Sequence, residues 1–152
     1  MLSSIKICLT CSAGGHRLQL LQLENFYKKY DHFFLTFKER TTIKLTENNR
    51  VYFIINPRRN PIKWFIAFLQ SILVFLKEKP TVIISTGAGV TIPIIYLAKF
   101  FGKKTIYIES FSRIIKPSMA GIVAYPVSDL FIVQWKPLLK FYKNAVYGGS
   151  IF

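Results

Sequence analysis

The chain has 152 residues, 51% of them hydrophobic, enough to bury a core without disulfides or metal. Twenty-one Lys and Arg face seven Asp and Glu, a net charge of +14, which implies an anionic partner, either nucleic acid or an anionic membrane; the apolar excess leans toward the membrane. No run reaches the roughly 18–20 apolar residues of a spanning helix, the N-terminus has no signal-peptide pattern, and two cysteines, Cys8 and Cys11, fit a reducing compartment better than a disulfide framework.

Taken in order, residues 4–10 read as a first strand, and residues 16–30 carry Leu20, Leu23, Tyr27 and Tyr30 at helical spacing. Residues 31–37 read as a second strand, the polar segment 38–49 as a loop, and residues 50–56 as a third strand ended by Pro57. A helix is expected over 61–79 with Pro61 at its start, then a short, wholly apolar strand over 81–86 of the kind buried on both faces. A further helix ends at Gly102. A fifth strand follows over 104–109, then a loop, a short helical stretch near 117–125, a strand over 129–134, a helix over 135–143 and a last strand over 144–148. Alternation of this kind predicts right-handed crossovers and an α/β, Rossmann-like, doubly wound parallel sheet forming one domain over 1–152.

In such a sheet ligands bind beyond the carboxyl ends of the strands, where strand order reverses. With an order 3-2-1-4-5, the reversal falls between strands one and four. The segments that follow those two strands are CSAGGHR and STGAGVT. Both combine glycine with small hydroxyl residues, and both open helices, where glycine lets a ligand approach and exposed N–H groups favour an anion. The pair predicts a phosphate or pyrophosphate site; for either loop alone, a tight strand-to-helix turn is the better explanation of the glycines.

His16 lies at the start of the first helix. The helix N-terminus disfavours its charged form, and two roles remain open: a neutral imidazole acting as general base, or a capping and packing group. Glu109 ends strand five on the same sheet edge, and Arg113 just beyond suits a phosphate. CLTC is nominally a redox motif, but Cys8 sits inside a strand rather than opening a helix, and no cluster of four zinc ligands is present. No metal or other cofactor is called for.

The segment WFIAFLQSILVFL, bracketed by Lys63 and Lys77, is apolar nearly all round. That is more than covering one face of a sheet requires, which points to partial insertion in a bilayer interface through Trp64, Phe65, Phe68, Ile72 and Phe75, with the lysines at the headgroups. No nucleic-acid motif accompanies the charge. A self-contained Rossmann nucleotide-binding protein is the alternative, although GGH is not G-x-G-x-x-G and strand two has no acid at its end, Glu39 lying just beyond.

GGH after the first strand, STGAG with Pro93 after the fourth, IES-SR after the fifth, then PS-AG-VAYPVSD, FIVQW and AVY-GG resemble one family across nearly the whole chain. It is the bacterial capsular and exopolysaccharide relatives of the membrane-recruiting subunit of the N-glycan pathway's second GlcNAc transferase. The resemblance implies the N-terminal, acceptor-side half of a GT-B glycosyltransferase, similar to the enzyme that adds GlcNAc in peptidoglycan lipid synthesis. It implies that a separate donor-binding chain holds the UDP-sugar. Our chain would bring that partner to the cytoplasmic membrane face and present a polyprenyl-pyrophosphate-saccharide for inverting transfer, with little activity alone. It further implies His16 and Glu109 as catalytic candidates. Gly14, Gly15, Arg17, Thr86, Gly87, Ala88, Gly89, Ser110 and Arg113 would hold the acceptor and its phosphates, and residues 147–152 would approach the partner. The eukaryotic relatives carry an N-terminal spanning anchor; with strand one opening almost at once here, attachment is expected through surface helices or through other proteins.

Overall fold

The computed structural model describes residues 5–152; Ser4 of the expected first strand, and the rest of residues 1–4, lie outside the described residues. Seven strands form one parallel sheet in the order β3-β2-β1-β4-β5-β6-β7. They are β1 (Lys6–Thr10), β2 (Asp31–Phe37), β3 (Val51–Ile54), β4 (Val82–Ser85), β5 (Lys104–Ile108), β6 (Leu130–Val133) and the edge strand β7 (Val146–Tyr147). The helices are α1 (Gly15–Leu21), α2 (Glu24–Tyr27), α3 (Arg40–Ile43), α4 (Pro61–Glu78), α5 (Ile92–Phe100) and α6 (Met119–Ala124). This is the Rossmann-like, doubly wound fold that the alternation predicts, with the reversal between β1 and β4, where Thr10 is paired with Ser85.

Core membership alternates along the strands because successive side chains leave opposite faces. Cys8, Phe33, Leu35, Ile83 and Tyr107 join the core under α4, α5 and α6, while Ile7, Leu9, Phe34, Ile84 and Ile108 join the core with Leu20, Tyr27 and Leu45. That alternation separates the two cysteines: Cys8 is in the first core and Cys11 in the second. Burial pushes both thiols up, Cys11 to about 12, so neither is a ready nucleophile.

Three connections differ from the sequence expectation. Residues 38–49 are not a plain loop. Glu39 caps α3 by accepting from the Thr41 amide while Thr42 returns a bond to the Glu39 amide, a capping box with its usual residue order reversed. A 3-10 turn over Lys44–Glu47 follows and brings Leu45 to the core. The segment 16–30 breaks at Leu23, which lets both Leu20 and Tyr27 reach the sheet. Residues 135–143 form only a 3-10 helix, Lys136–Lys140, with Pro137 in its first turn. By contrast α4 starts as expected, with Asn60 accepting from the Lys63 amide at 3.1 Å ahead of Pro61.

Acidic groups gather where strands begin. Glu78, at the end of α4, accepts from Lys6 Nζ at 3.2 Å, from Arg50 Nε at 3.1 Å and from the Tyr52 hydroxyl. Burial alone would raise its pKa, but these donors hold it below the ordinary value of 4.5. A depressed carboxyl stabilises the fold above its unfolded pKa, and that stability drains away as pH falls through the native one. Denaturant midpoints are therefore expected to fall below about pH 4.5, and Glu78→Gln, which leaves Lys6 and Arg50 with Asp31 as their remaining carboxylate, to cost about 1 kcal/mol at pH 7 and flatten that acid limb.

Candidate functional site

The loops after β1 and β4 meet. His16 Nδ1 lies 2.7 Å from the Thr86 carbonyl oxygen, and the Thr86 hydroxyl donates to the His16 carbonyl at 2.7 Å. A carbonyl only accepts, so Nδ1 carries the proton in the neutral ring and Nε2 keeps its lone pair. Burial lowers the histidine's pKa from 6.5 more than the Thr86 bond and the charge of Glu109 raise it, and Arg113 lowers it further; the neutral ring is thus the form present at pH 7.

Backbone conformation makes room for this ring. Gly87 has φ of 117°, and a Cβ there would sit 2.9 Å from the imidazole. Ala88 carries φ of 75°, a strained value for a residue with a side chain. Gly14 also needs its positive φ of 68° to turn the chain into α1.

A cavity of about 220 Å³ opens beside His16, lined also by Ala88, Ser110, Ser112, Arg113, Ser118, Met119 and Ala120. His16, Ala88, Ser110 and Arg113 among the expected residues therefore converge. Thr86 and Gly87 are buried beneath it. Gly14 and Gly15 are exposed and do not line it. Three expectations are corrected. The Gly87 amide already donates to the Ser85 hydroxyl at 3.1 Å, so it is not offered to a phosphate. Gly89 faces Trp64, whose ring would lie 3.3 Å from a Cβ at that position. Arg17 does not line the cavity; its charge bears on Cys11 and Glu39 instead.

Glu109 is corrected most. It is fully buried, and its carboxylate accepts from the Ser110 amide, the Ser118 amide, the Ser118 hydroxyl and the Tyr142 hydroxyl at 2.8–3.1 Å. With both oxygens committed, it is a positioning group behind the cavity wall, and it fixes residues 110–118 rather than meeting a substrate. Gly121 lies against it so closely that a Cβ would be 2.1 Å from Oε2. Gln19 and Gln134 complete the support. Gln19 Oε1 accepts from the Phe111 amide (2.9 Å) and from Gln134 Nε2 (2.8 Å), and Gln134 Oε1 accepts from the Ile151 amide (3.0 Å). Ser112, Ser118 and Gln134 fall within the motifs that carry the resemblance but are given no role by the sequence, and Gln19 and Tyr142 carry no local signal.

Around α4, Phe65, Phe68 and Leu73 are exposed and Lys63 and Lys77 flank them. Trp64 and Ile72 are half-buried. Phe75 is the exception to the expected membrane face: it is 5% exposed and stacks on Phe101 in the core. Glu39, the acid nearest the end of β2, is committed to capping α3, which leaves no carboxylate there for a ribose.

Glu109→Ala, which strands several buried donors, and Gly121→Ala, whose Cβ would collide with the Glu109 carboxylate, are each expected to lower stability by about 3 kcal/mol or more; urea denaturation checks this. A Glu109→Ala chain of unchanged stability that lost only turnover would return Glu109 to the reacting groups.

Residues 56–151 match the family model described as "Oligosaccharide biosynthesis protein Alg14 like". The UDP-N-acetylglucosamine transferase subunit ALG14 of Candida albicans is 42% identical over a stretch covering 56% of this chain and 42% of that protein. The mouse protein of the same name is 26% identical, with 97% of this chain and 83% of the relative aligned. The chain thus spans less than half the length of the first of these relatives. Among solved structures, MurG of Acinetobacter baumannii superposes with a TM-score of 0.72 at 15% identity, covering 85% of this chain and 40% of that one. The UDP-N-acetylglucosamine 2-epimerase of Rickettsia bellii gives 0.78 at 12% identity, covering 97% and 45%. These likenesses show the fold, that of one Rossmann-like half of a GT-B molecule. Taken with the matched family model, they place the chain in the Alg14-like family of oligosaccharide biosynthesis proteins.

Proposed function

We propose that the chain is the acceptor-side subunit of a two-chain glycosyltransferase, which moves a sugar from a UDP-sugar held by a separate donor-binding chain to a polyprenyl-pyrophosphate-linked saccharide. Its single Rossmann-like domain supplies one wall of the cleft and recruits the donor half to the cytoplasmic face of the membrane. The observation that carries the proposal is the neutral His16, held through Nδ1 with Nε2 free beside an open polar cavity at the strand-order reversal.

In this reading the acceptor's sugar hydroxyl attacks the anomeric carbon as UDP departs with the bonding electron pair. His16 Nε2 takes the hydroxyl proton. Arg113 and the hydroxyls of Ser110 and Ser112 bind the acceptor's phosphates. The exposed C-terminal segment, with Tyr147 and Phe152 at the surface, meets the donor chain, and the Gln134–Ile151 bond ties that contact to the cavity. A capsule or exopolysaccharide setting rests on the motif resemblance alone; the curated relatives above are eukaryotic. No helix among the described residues is long and apolar enough to cross a membrane. Attachment through the face of α4 is supported by exposed Ile62, Phe65 and Leu73 beside Lys63 and Lys77.

With the donor chain added, transfer should appear that neither chain gives alone; full activity of this chain by itself would sink the proposal. His16→Ala in the reconstituted pair should cost about a hundredfold or more in kcat. The acid limb of the wild-type kcat/KM profile should fall below pH 6.5, because only the neutral ring accepts a proton and its pKa is depressed. On the membrane side, Phe65→Ser with Leu73→Ser should reduce co-sedimentation with phosphatidylglycerol vesicles, and salt should weaken what remains.

A further inference from the structure

We propose that the groove between α4 and α5 is a slot for the hydrocarbon tail of the lipid acceptor, with one end near the cavity beside His16; the identity of the lipid rests on the function proposed above. Two helical stripes build it. Trp64, Phe68, Ile72 and Leu76 follow one another at intervals of four along α4. Ile92, Tyr96 and Phe100 do the same along α5. Residues so spaced share a face and run about 18 Å along α4, at roughly 1.5 Å per residue.

Two hollows lie between the stripes. One of about 270 Å³ is bounded by Trp64, Phe68, Ile92, Pro93, Tyr96 and Val123. The other, about 470 Å³, adds Ile72, Leu76, Leu97, Phe100 and Phe101. They share Phe68 and Tyr96, so they are one track. The end at Trp64 and Val123 lies near the polar cavity on two sides, although the two share no lining residue. Val123 lies on α6 three and four residues after Ala120 and Met119, which line that cavity. Trp64 packs on Gly89, next to Ala88 of the same cavity, and the absence of a side chain on Gly89 permits that approach.

The track offers no polar partner. The one hydroxyl on it, that of Tyr96, donates to the Val123 carbonyl at 2.9 Å and so is already satisfied. Phe100 is 83% exposed and Leu76 54%, an arrangement that costs free energy unless something apolar covers it. Beyond one end, in the polar cavity, stands Arg113. An amphiphile with a diphosphate head and a linear prenyl chain matches both the shape and the charge. A flat bilayer surface would fill neither the hollow nor the cavity.

The test titrates the full chain with inorganic pyrophosphate, geranyl diphosphate and farnesyl diphosphate by calorimetry, below the concentrations at which the lipids form micelles. Affinity should rise with tail length, farnesyl over pyrophosphate by about thirtyfold or more. Leu76→Gln and Phe100→Gln, both at exposed positions, should each shrink that ratio severalfold, whereas Phe65→Ser, on the outer face of α4, should leave it unchanged. Equal affinity for all three probes, or a ratio indifferent to Leu76 and Phe100, would overturn the slot. The function has its own readout: transfer by the reconstituted pair to acceptors of short and long tail with equal KM would retain the transferase and discard the slot. Tail-dependent binding without transfer to any prenyl acceptor would do the reverse.

Discussion

The reciprocal bonding of His16 and Thr86 across the strand-order reversal is the constraint on which the site depends. Parallel strands β1 and β4 bring two loops side by side, but adjacency alone leaves a gap between them. Two short bonds between those loops close that gap and choose the tautomer of the imidazole. They require a glycine at position 87, because the ring occupies the space of any Cβ there. Strain at Ala88 belongs to the same turn, held by the buried Val90 and Thr91 that follow it. The imidazole, the cavity and the helix start after β4 are therefore one mechanical unit.

A second unit supports it from behind. Glu109 collects donors from β5, from the loop after it and from Tyr142, so a carboxylate that reads as chemistry in the sequence acts as a bracket for the serines and Arg113 at the cavity. The cost of burying its charge is met by full hydrogen bonding, and Gly121 gives way so that the carboxylate fits. The amides of Gln19 and Gln134 extend the bracket to Ile151, which couples the chain's last residues to the first helix. A partner docking against the C-terminal segment would thus bear directly on the loop that carries Arg113.

Charge is divided in the same spirit. Asp31, Glu78 and Asp129 sit where strands begin and are paired there with Lys6, Arg50, Lys99 and Lys104. Glu39 is spent on a helix cap and Glu109 is buried. The carboxyl edge of the sheet, with Arg113 and the polar cavity, is left electropositive, which suits anionic phosphates. The apolar face of α4 and α5 lies near this edge, so charged and apolar chemistry stand side by side on one surface.

Alternating runs and helix starts were legible from local pattern, and so were the two glycine loops and their meeting at the reversal, because right-handed parallel crossovers leave few ways to wind such a chain. The sequence alone also marked His16, since a histidine after two glycines at a strand-to-helix corner is locally conspicuous. Only the tertiary structure decided what Glu109 does, that Phe75 turns inward, that the Gly87 amide is already bonded, and that Gln19 meets Gln134 across 115 positions. Each of these depends on which atoms fill the space beside a side chain, and that neighbourhood is assembled from segments far apart in the chain. Periodicity reports which face a residue takes, whereas a hydrogen-bond partner is known only when the faces have been brought together.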